Sequence, residues 1–187
     1  MPPETASAET GSDETRADET RPDPLAGYPH RASFPTRWND NDIYGHVNNT
    51  VHYLAMDTVI NAWMIERAIL RIDPASDAPV GLCVESGCRY LAAAEYPDTL
   101  TVGLRVAALG TSSVTWELAM TRGDGTLVAE GRFVHVFVDK ATRRPTPIPE
   151  LARGAMEGLR ATPPGSGSPA GRGGPSRDDV VEPDAAR

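Results

Sequence analysis

The sequence has no excess of positive charge: 18 Lys and Arg stand against 26 Asp and Glu, for a net charge of −8. Proteins that hold nucleic acid or anionic membranes through their overall field need the opposite balance, because a basic footprint is what neutralises phosphates. Neither partner is expected here. No stretch approaches the roughly 20 apolar residues of a membrane helix. The start, Met1-Pro2-Pro3-Glu4-Thr5-Ala6-Ser7, lacks the basic residues and apolar core of a signal peptide, so a cytoplasmic protein is expected. Cysteine is scarce, with only Cys83 and Cys88. Five apart in a strand-like segment, they are expected on opposite faces, as small buried apolar residues and not as a disulfide. A Gly-x-Ser-x-Gly nucleophile elbow is missing, as is a Gly-rich dinucleotide loop. No cofactor is implied.

What charge there is lies unevenly. The first 26 residues hold seven acids (Glu4, Glu9, Asp13, Glu14, Asp18, Glu19 and Asp23) against Arg16 and Arg21, with no apolar periodicity. Such a segment cannot offset its chain entropy by burial, and residues 1–27 are expected as a disordered acidic tail. Of the 16 residues in Thr162–Arg177, 12 are Gly, Pro or Ser, a flexible composition, so residues 161–187 are expected as a second disordered tail. Residues 28–160 remain as one domain of ordinary size.

Inside that domain His30–Trp38 reads as a first strand. From Asn48 to about Arg71 the pattern turns helical, with Tyr53, Met56, Ile60, Trp63 and Met64 at three- and four-residue spacing and Asp73-Pro74 as its stop. Strands are expected over Val80–Leu91, Thr99–Leu109, Val114–Thr121 and Leu127–Val138, the last two joined across Gly123-Asp124-Gly125. In Leu127–Val138, Phe133, His135 and Phe137 share one face and Val134, Val136 and Val138 the other, which suits a strand inside a covered sheet. A short helix over Pro149–Leu159 closes the domain. One long early helix followed by consecutive strands gives an α+β fold, an antiparallel sheet of about five strands wrapped around the helix. A lone helix leaves apolar sheet uncovered, so a homodimer is expected.

Residues 37–49, Arg37-Trp-Asn-Asp-Asn-Asp-Ile-Tyr-Gly-His-Val-Asn-Asn49, concentrate the chemistry. Asp40 and Asp42 are two apart, Gly45 permits a tight path, and Asn48 or Asn49 can cap the helix. A helix N-terminus offers unpaired N–H groups and the positive end of a dipole, which would polarise a carbonyl oxygen placed there. A carboxylate beside it could act as nucleophile or as base for water, so acyl transfer is the chemistry that fits. Asp40, Asp42, Gly45 and Asn48 also echo a calcium loop. That reading fails because Tyr44 and Val51 stand where a ligand and a Glu are required, and no metal is expected.

The run Arg37-Trp38-x-Asp40-x-Asp42-x-x-Gly45-His46-Val47-Asn48-Asn49, followed by Tyr53 and Asp57, resembles the signature of hotdog-fold thioesterases of the 4-hydroxybenzoyl-CoA thioesterase type. Further similar stretches are Glu85-Ser-Gly-Cys-Arg-Tyr-Leu91, Tyr96-Pro-Asp98, Leu109-Gly-x-x-Ser113 and Val134-His-Val-Phe-Val-Asp139 leading to Arg144-Pro145. The resemblance implies the hotdog fold and hydrolysis of an acyl-CoA thioester. It makes Asp42 the catalytic carboxylate and the backbone N–H of Asn49 the group that polarises the thioester carbonyl. Gly45, His46 and Asn48 are implied beside the substrate. Arg143 and Arg144 become candidates for the CoA phosphates, since guanidinium suits phosphate bidentately. It also implies a homodimer or homotetramer with sites at the subunit interface. Some members use a Glu on the long helix instead of an acid before it, and Asp57, shorter than Glu but in a comparable region of the helix, becomes a second catalytic candidate.

Blander readings stand beside these. Asp40 reads as a turn residue or an Arg37 partner, Asp57 equally as a solvated helix charge, and Arg143-Arg144 as a strand end. His46 could orient substrate or be a hydrogen-bonded loop residue. His52 and His135 read as packing or surface residues, and His30 lies outside the site. An acyl-carrier-protein thioesterase and a non-catalytic acyl-CoA binding module on the same fold are the alternative functions. A dehydratase of this fold fits the local motif less well.

Overall fold

The computed structural model describes residues 22–160, less 72 and 74; the two expected tails lie almost wholly outside that span. Where they meet it, the N-terminal boundary moves. Leu25 is only 2% exposed, and with Tyr28 it covers Gly103, whose missing side chain leaves the space. Packing therefore begins before Tyr28.

The elements are β1 (His30–Pro35), a 3-10 turn (Trp38–Asp40), α1 (Asn49–Glu66), β2 (Val80–Tyr90), β3 (Thr99–Leu109), β4 (Ser113–Thr121), β5 (Leu127–Val138) and α2 (Glu150–Glu157). Five strands form one antiparallel sheet in the order β1-β3-β4-β5-β2. α1 lies along its inner face, the expected arrangement. Met56, Ile60, Trp63 and Met64 are buried as their spacing predicts, while Tyr53 is half-buried and meets Phe133 edge-on at 6.0 Å. The helix touches the sheet at Gly131 of β5, where any Cβ would fall on the Met56 sulfur. Trp63 meets Trp116 of β4 at 5.6 Å between ring centroids.

Three local readings change. α1 ends at Glu66, not near Arg71. Ala68 turns into the left-handed region with φ 54, and the N–H groups of Ile69 and Leu70 fold back onto the Met64 carbonyl, a local stop that owes nothing to Asp73-Pro74. The two cysteines share a face. A bulge between Cys83 and Glu85 inserts one residue, so Cys83 sits opposite His135 and Cys88 opposite Gly131, both on the helix side. Neither is fully buried. Finally, β5 is an interior strand as expected, but β4 holds the centre. The outer face carries ion pairs instead of a second core: Arg105 with Glu117 at 2.7 Å, Arg89 with Glu130 at 3.2 Å, and Arg132 with Glu85.

Strand β2 is a sheet edge of 11 residues and is exposed along most of its length, Val84 and Leu82 included. A long apolar edge with unpaired backbone groups is a surface that proteins normally cover.

Candidate active site

The path from β1 to α1 is set by hydrogen bonds that its polar residues supply. Asp40, 2% exposed, accepts the Arg37 backbone N–H at 2.7 Å and its guanidinium at 2.7 Å. That guanidinium, despite the cost of burial, holds the Asp40 carboxyl below the usual range. Its carbonyl accepts the Asn48 N–H at 2.8 Å. Asp40 is thus committed to structure, in keeping with the blander reading.

Residues 41–47 form a small loop closed by a bridge between Asn41 and Val47. Asp42 N–H donates to the His46 carbonyl at 2.8 Å. Gly45, at φ +84, makes the turn that a side chain would strain. Asp42 Oδ1 accepts the Tyr44 N–H at 2.8 Å. The other carboxylate oxygen has no protein partner among the described residues.

Asn48 caps α1, its side-chain oxygen accepting Thr50 N–H at 3.0 Å. This satisfies one of the orphan donors of the first turn. The N–H of Asn49, one residue before, has no protein acceptor among the described residues. It points from a helix N-terminus carrying the positive end of the dipole.

Asp42, His46 and Asn49 come together on one cleft of about 480 Å³, completed by Val47, His52, Tyr90, Leu91 and Ala92 to Ala94. Asp42, with one carboxylate oxygen open, and Asn49, at the helix terminus, therefore line the same space, together with the small apolar run Ala92 to Ala94. Gly45 and Asn48 do not line the cleft; they shape the loop and cap the helix. Asp57 is absent from it too. Eight residues beyond Asn49, it lies about 12 Å further along α1, half-buried and within electrostatic reach of His135 and Cys83. Arg143 and Arg144 are more remote. Tyr90 pairs with Ala129 while Val80 pairs with Val138, so the cleft and the turn after Val138 sit at opposite ends of β5, about 30 Å apart at strand rise.

Two residues of the cleft escape or are discounted by sequence reasoning. His52, read as packing or surface, is 4% exposed, its Nδ1–H donating to the Asn48 carbonyl at 3.2 Å. Its Nε2 is buried without a partner. The available signal was its position three after Asn49, hence on the same helix face. Tyr90 donates its hydroxyl to the Asn49 carbonyl at 3.3 Å. Burial, with the Cys88 thiol alongside, pushes that phenol up to about 12, so it stays a donor. His135 does serve packing: its Nδ1 accepts Trp116 Nε1–H at 3.0 Å.

Burial holds His30, His52 and His135 below the usual value of 6.5. Unfolding restores that value, so as pH falls through about 6.5 the unfolded chain takes up protons first and the fold loses stability. Above 6.5 both states are neutral and the loss vanishes. Thermal melts should show a midpoint several degrees lower at about pH 5.5 than at about pH 7.5, and His52→Asn should narrow that gap. An equal gap in the variant would rule out His52 as a contributor.

Among the described residues no helix is long and apolar enough to cross a membrane, and no cluster of three His, Cys, Asp or Glu is placed to hold a metal. Residues 36–156 match the family model of the Thioesterase-like superfamily. No curated protein matches the chain. Among solved structures, the PA5185 protein of Pseudomonas aeruginosa is 44% identical, covering 74% of this chain and 96% of its own, with a TM-score of 0.68. The PA2801 protein of the same organism, a proposed thioesterase, is 33% identical, covering 68% and 97%, with a TM-score of 0.62. A thioesterase from Thermus thermophilus, solved with coenzyme A and zinc, is 29% identical over 72% and 96%, with a TM-score of 0.58. The sheet wrapped on one long helix, the cleft at that helix's N-terminus and the match over most of the domain agree: the chain belongs to the Thioesterase-like superfamily and is by family a thioester hydrolase.

Proposed function

We propose that this protein hydrolyses acyl-CoA thioesters to a free carboxylic acid and CoA, in the manner of the 4-hydroxybenzoyl-CoA thioesterase type. The observation that carries the reading is the cleft shared by Asp42 and Asn49, the residue at the helix N-terminus. The thioester oxygen sits against the Asn49 amide, which stabilises the negative charge that develops there. Asp42 either takes a proton from water as it attacks, and later returns it to the leaving sulfur, or attacks the carbonyl itself, giving an acyl-aspartyl anhydride that water then hydrolyses while the sulfur takes its proton from water. The carbon–sulfur bond breaks, and the CoA sulfur leaves and is protonated. His46 lines the approach, and Ala92 to Ala94 with Val47 give the acyl group an apolar wall. The coenzyme A in the Thermus thermophilus relative supports CoA as the thiol carrier. A cytoplasmic location accords with that choice.

The exposed edge of β2 supports a homodimer in which two β2 strands pair across a twofold axis, with a tetramer as a further assembly. Twofold symmetry makes such neighbours antiparallel. Arg143 and Arg144 cannot reach the cleft of their own chain, but antiparallel pairing brings the far end of one sheet toward the cleft of the other. We assign them to CoA phosphates in trans. Arg143→Ala with Arg144→Ala should raise KM for acyl-CoA about tenfold, the scale of one lost charge-assisted contact. KM for the matched acyl-pantetheine, which lacks the nucleotide phosphates, should not change. An equal rise on both substrates would remove the phosphate assignment.

The test of the activity is thiol release from a panel of acyl-CoAs differing in chain length and aromatic character. Matched acyl-carrier-protein substrates are run alongside. Faster turnover on the carrier protein would replace CoA as the substrate. Tight acyl-CoA binding without thiol release would make this a binding module.

A further inference from the structure

Asn49 lines the cleft, and the peptide group that carries its N–H has the Asn48 carbonyl as its other end. That oxygen accepts two donors, Val51 N–H at 2.9 Å and His52 Nδ1–H at 3.2 Å. The next peptide group, on the other side of the Asn49 Cα, has its oxygen held by the Tyr90 hydroxyl at 3.3 Å. The two rings meet edge to face, with centroids 5.3 Å apart and planes at 82°. One ring comes from α1 and the other from the end of β2. Together they reach both peptide planes that flank Asn49.

We propose that His52 and Tyr90 are positioning residues that fix the orientation of the Asn49 amide and, through the Asn48 oxygen, strengthen its N–H as a donor. The inference rests on the thioesterase reading above.

Two physical points support it. A hydrogen bond to an amide oxygen draws electron density toward that oxygen and makes the N–H of the same group a better donor. A donor that stabilises developing charge works best when it is already oriented and need not reorganise. A packing role alone accounts poorly for this histidine. Its Nε2 is buried with no partner, a penalty that an aliphatic side chain of similar volume avoids. Burial also keeps the ring in its neutral form, and the bond to a carbonyl oxygen requires the proton on Nδ1. The tautomer is thereby set by the same contact.

The experiment compares His52→Leu, His52→Asn, His52→Gln and Tyr90→Phe. Asn places an amide N–H close to where Nδ1 lies, whereas the Gln amide falls near the Nε2 position. His52→Leu should lower kcat about tenfold with KM within about twofold, a fraction of what removing an oxyanion donor outright costs. His52→Asn should recover most of the loss and His52→Gln little of it. Tyr90→Phe, at a ring about half exposed, should lower kcat about threefold, as expected for one weaker contact on the neighbouring peptide group. The Asn49 amide proton resonance should move upfield in His52→Leu and stay in place in His52→Asn. Calorimetric CoA binding counts intact sites in every variant, so a loss of folded protein is not mistaken for a loss of rate.

Unchanged kcat in His52→Leu would overturn the inference, and so would equal loss in Leu and Asn variants or an unmoved Asn49 resonance. Where His52→Leu does not fold, Tyr90→Phe and the Asn–Gln comparison decide the matter by the same criteria. Absence of thiol release by the wild type from every acyl-CoA overturns the thioesterase reading and this inference together. A working wild type beside an equally fast His52→Leu overturns the inference alone.

Discussion

Replacing Asp42 by Asn is expected to lower kcat for an acyl-CoA by about 10²–10⁴-fold, the contribution of a positioned general base, with little change in KM. The substitution is chosen because the amide keeps what the carboxylate does for the fold. Its oxygen still accepts the Tyr44 N–H, as Asp42 Oδ1 does at 2.8 Å, and the Asp42 backbone remains bound to His46 and Gly45. What disappears is the negative charge and basicity of the open oxygen. The melting temperature should therefore stay within about 2 °C, since no buried contact is lost. Asp57→Asn is the matched control, as Asp57 lies outside the cleft and should cost little. Rates in the order wild type, Asp57→Asn, Asp42→Asn support the assignment. Full turnover in Asp42→Asn together with a collapse in Asp57→Asn would move the chemistry to the helix carboxylate.

The largest effect on stability is expected from Trp116→Ala. Trp116 is fully buried on β4, the strand at the centre of the sheet. It meets Trp63 of α1 edge-on at 5.6 Å and donates Nε1–H to His135 at 3.0 Å. Removing a buried indole costs about 3–5 kcal/mol through lost transfer energy and the cavity left behind. Leaving His135 Nδ1 without its donor adds about 1–3 kcal/mol. Against a typical total of about 5–15 kcal/mol, the fold should be barely stable, and the midpoint should fall by about 10–20 °C. Trp116→Phe separates the two parts, because it fills much of the space but cannot donate. Denaturant melts of both variants check the sum. A loss below about 1 kcal/mol in Trp116→Ala would mean that the Trp63–Trp116 contact does not hold helix to sheet.

Much of the fold was legible because its elements carry strong periodic signals. Thr99–Leu109 and Leu127–Val138 have in the structure the bounds that the sequence pattern predicts, since alternation over 11 or 12 residues leaves little freedom of register. The end of α1 was not legible, because Ala68 adopts φ 54 without the glycine that normally marks such a stop. The shared face of Cys83 and Cys88 was hidden for a related reason. A bulge is a property of two paired strands, and period-two counting along one strand cannot see it.

At the site, the candidates that the chain's own local geometry holds together were visible in order. Asp42, Gly45, Asn48 and Asn49 lie within eight consecutive residues, and a loop that short before a capped helix brings its members together whatever the rest of the fold does. The sequence by itself thus placed the helix N-terminus and the carboxylate beside it, and narrowed the cap to Asn48 or Asn49, of which the structure selects Asn48. Only the tertiary structure decided which of the wider candidates belong there. It separated Asp57 by about two helical turns, and Arg143 and Arg144 by the length of β5. It brought in Tyr90 and Ala92 to Ala94 from a strand end some 40 residues downstream of Asn49. Their place depends on the pairing of β2 with β5, and such long-range pairing is set by the whole core, with no trace in the local pattern. Asp42 lines the cleft through its neighbours in sequence, and Tyr90 through its neighbours in space.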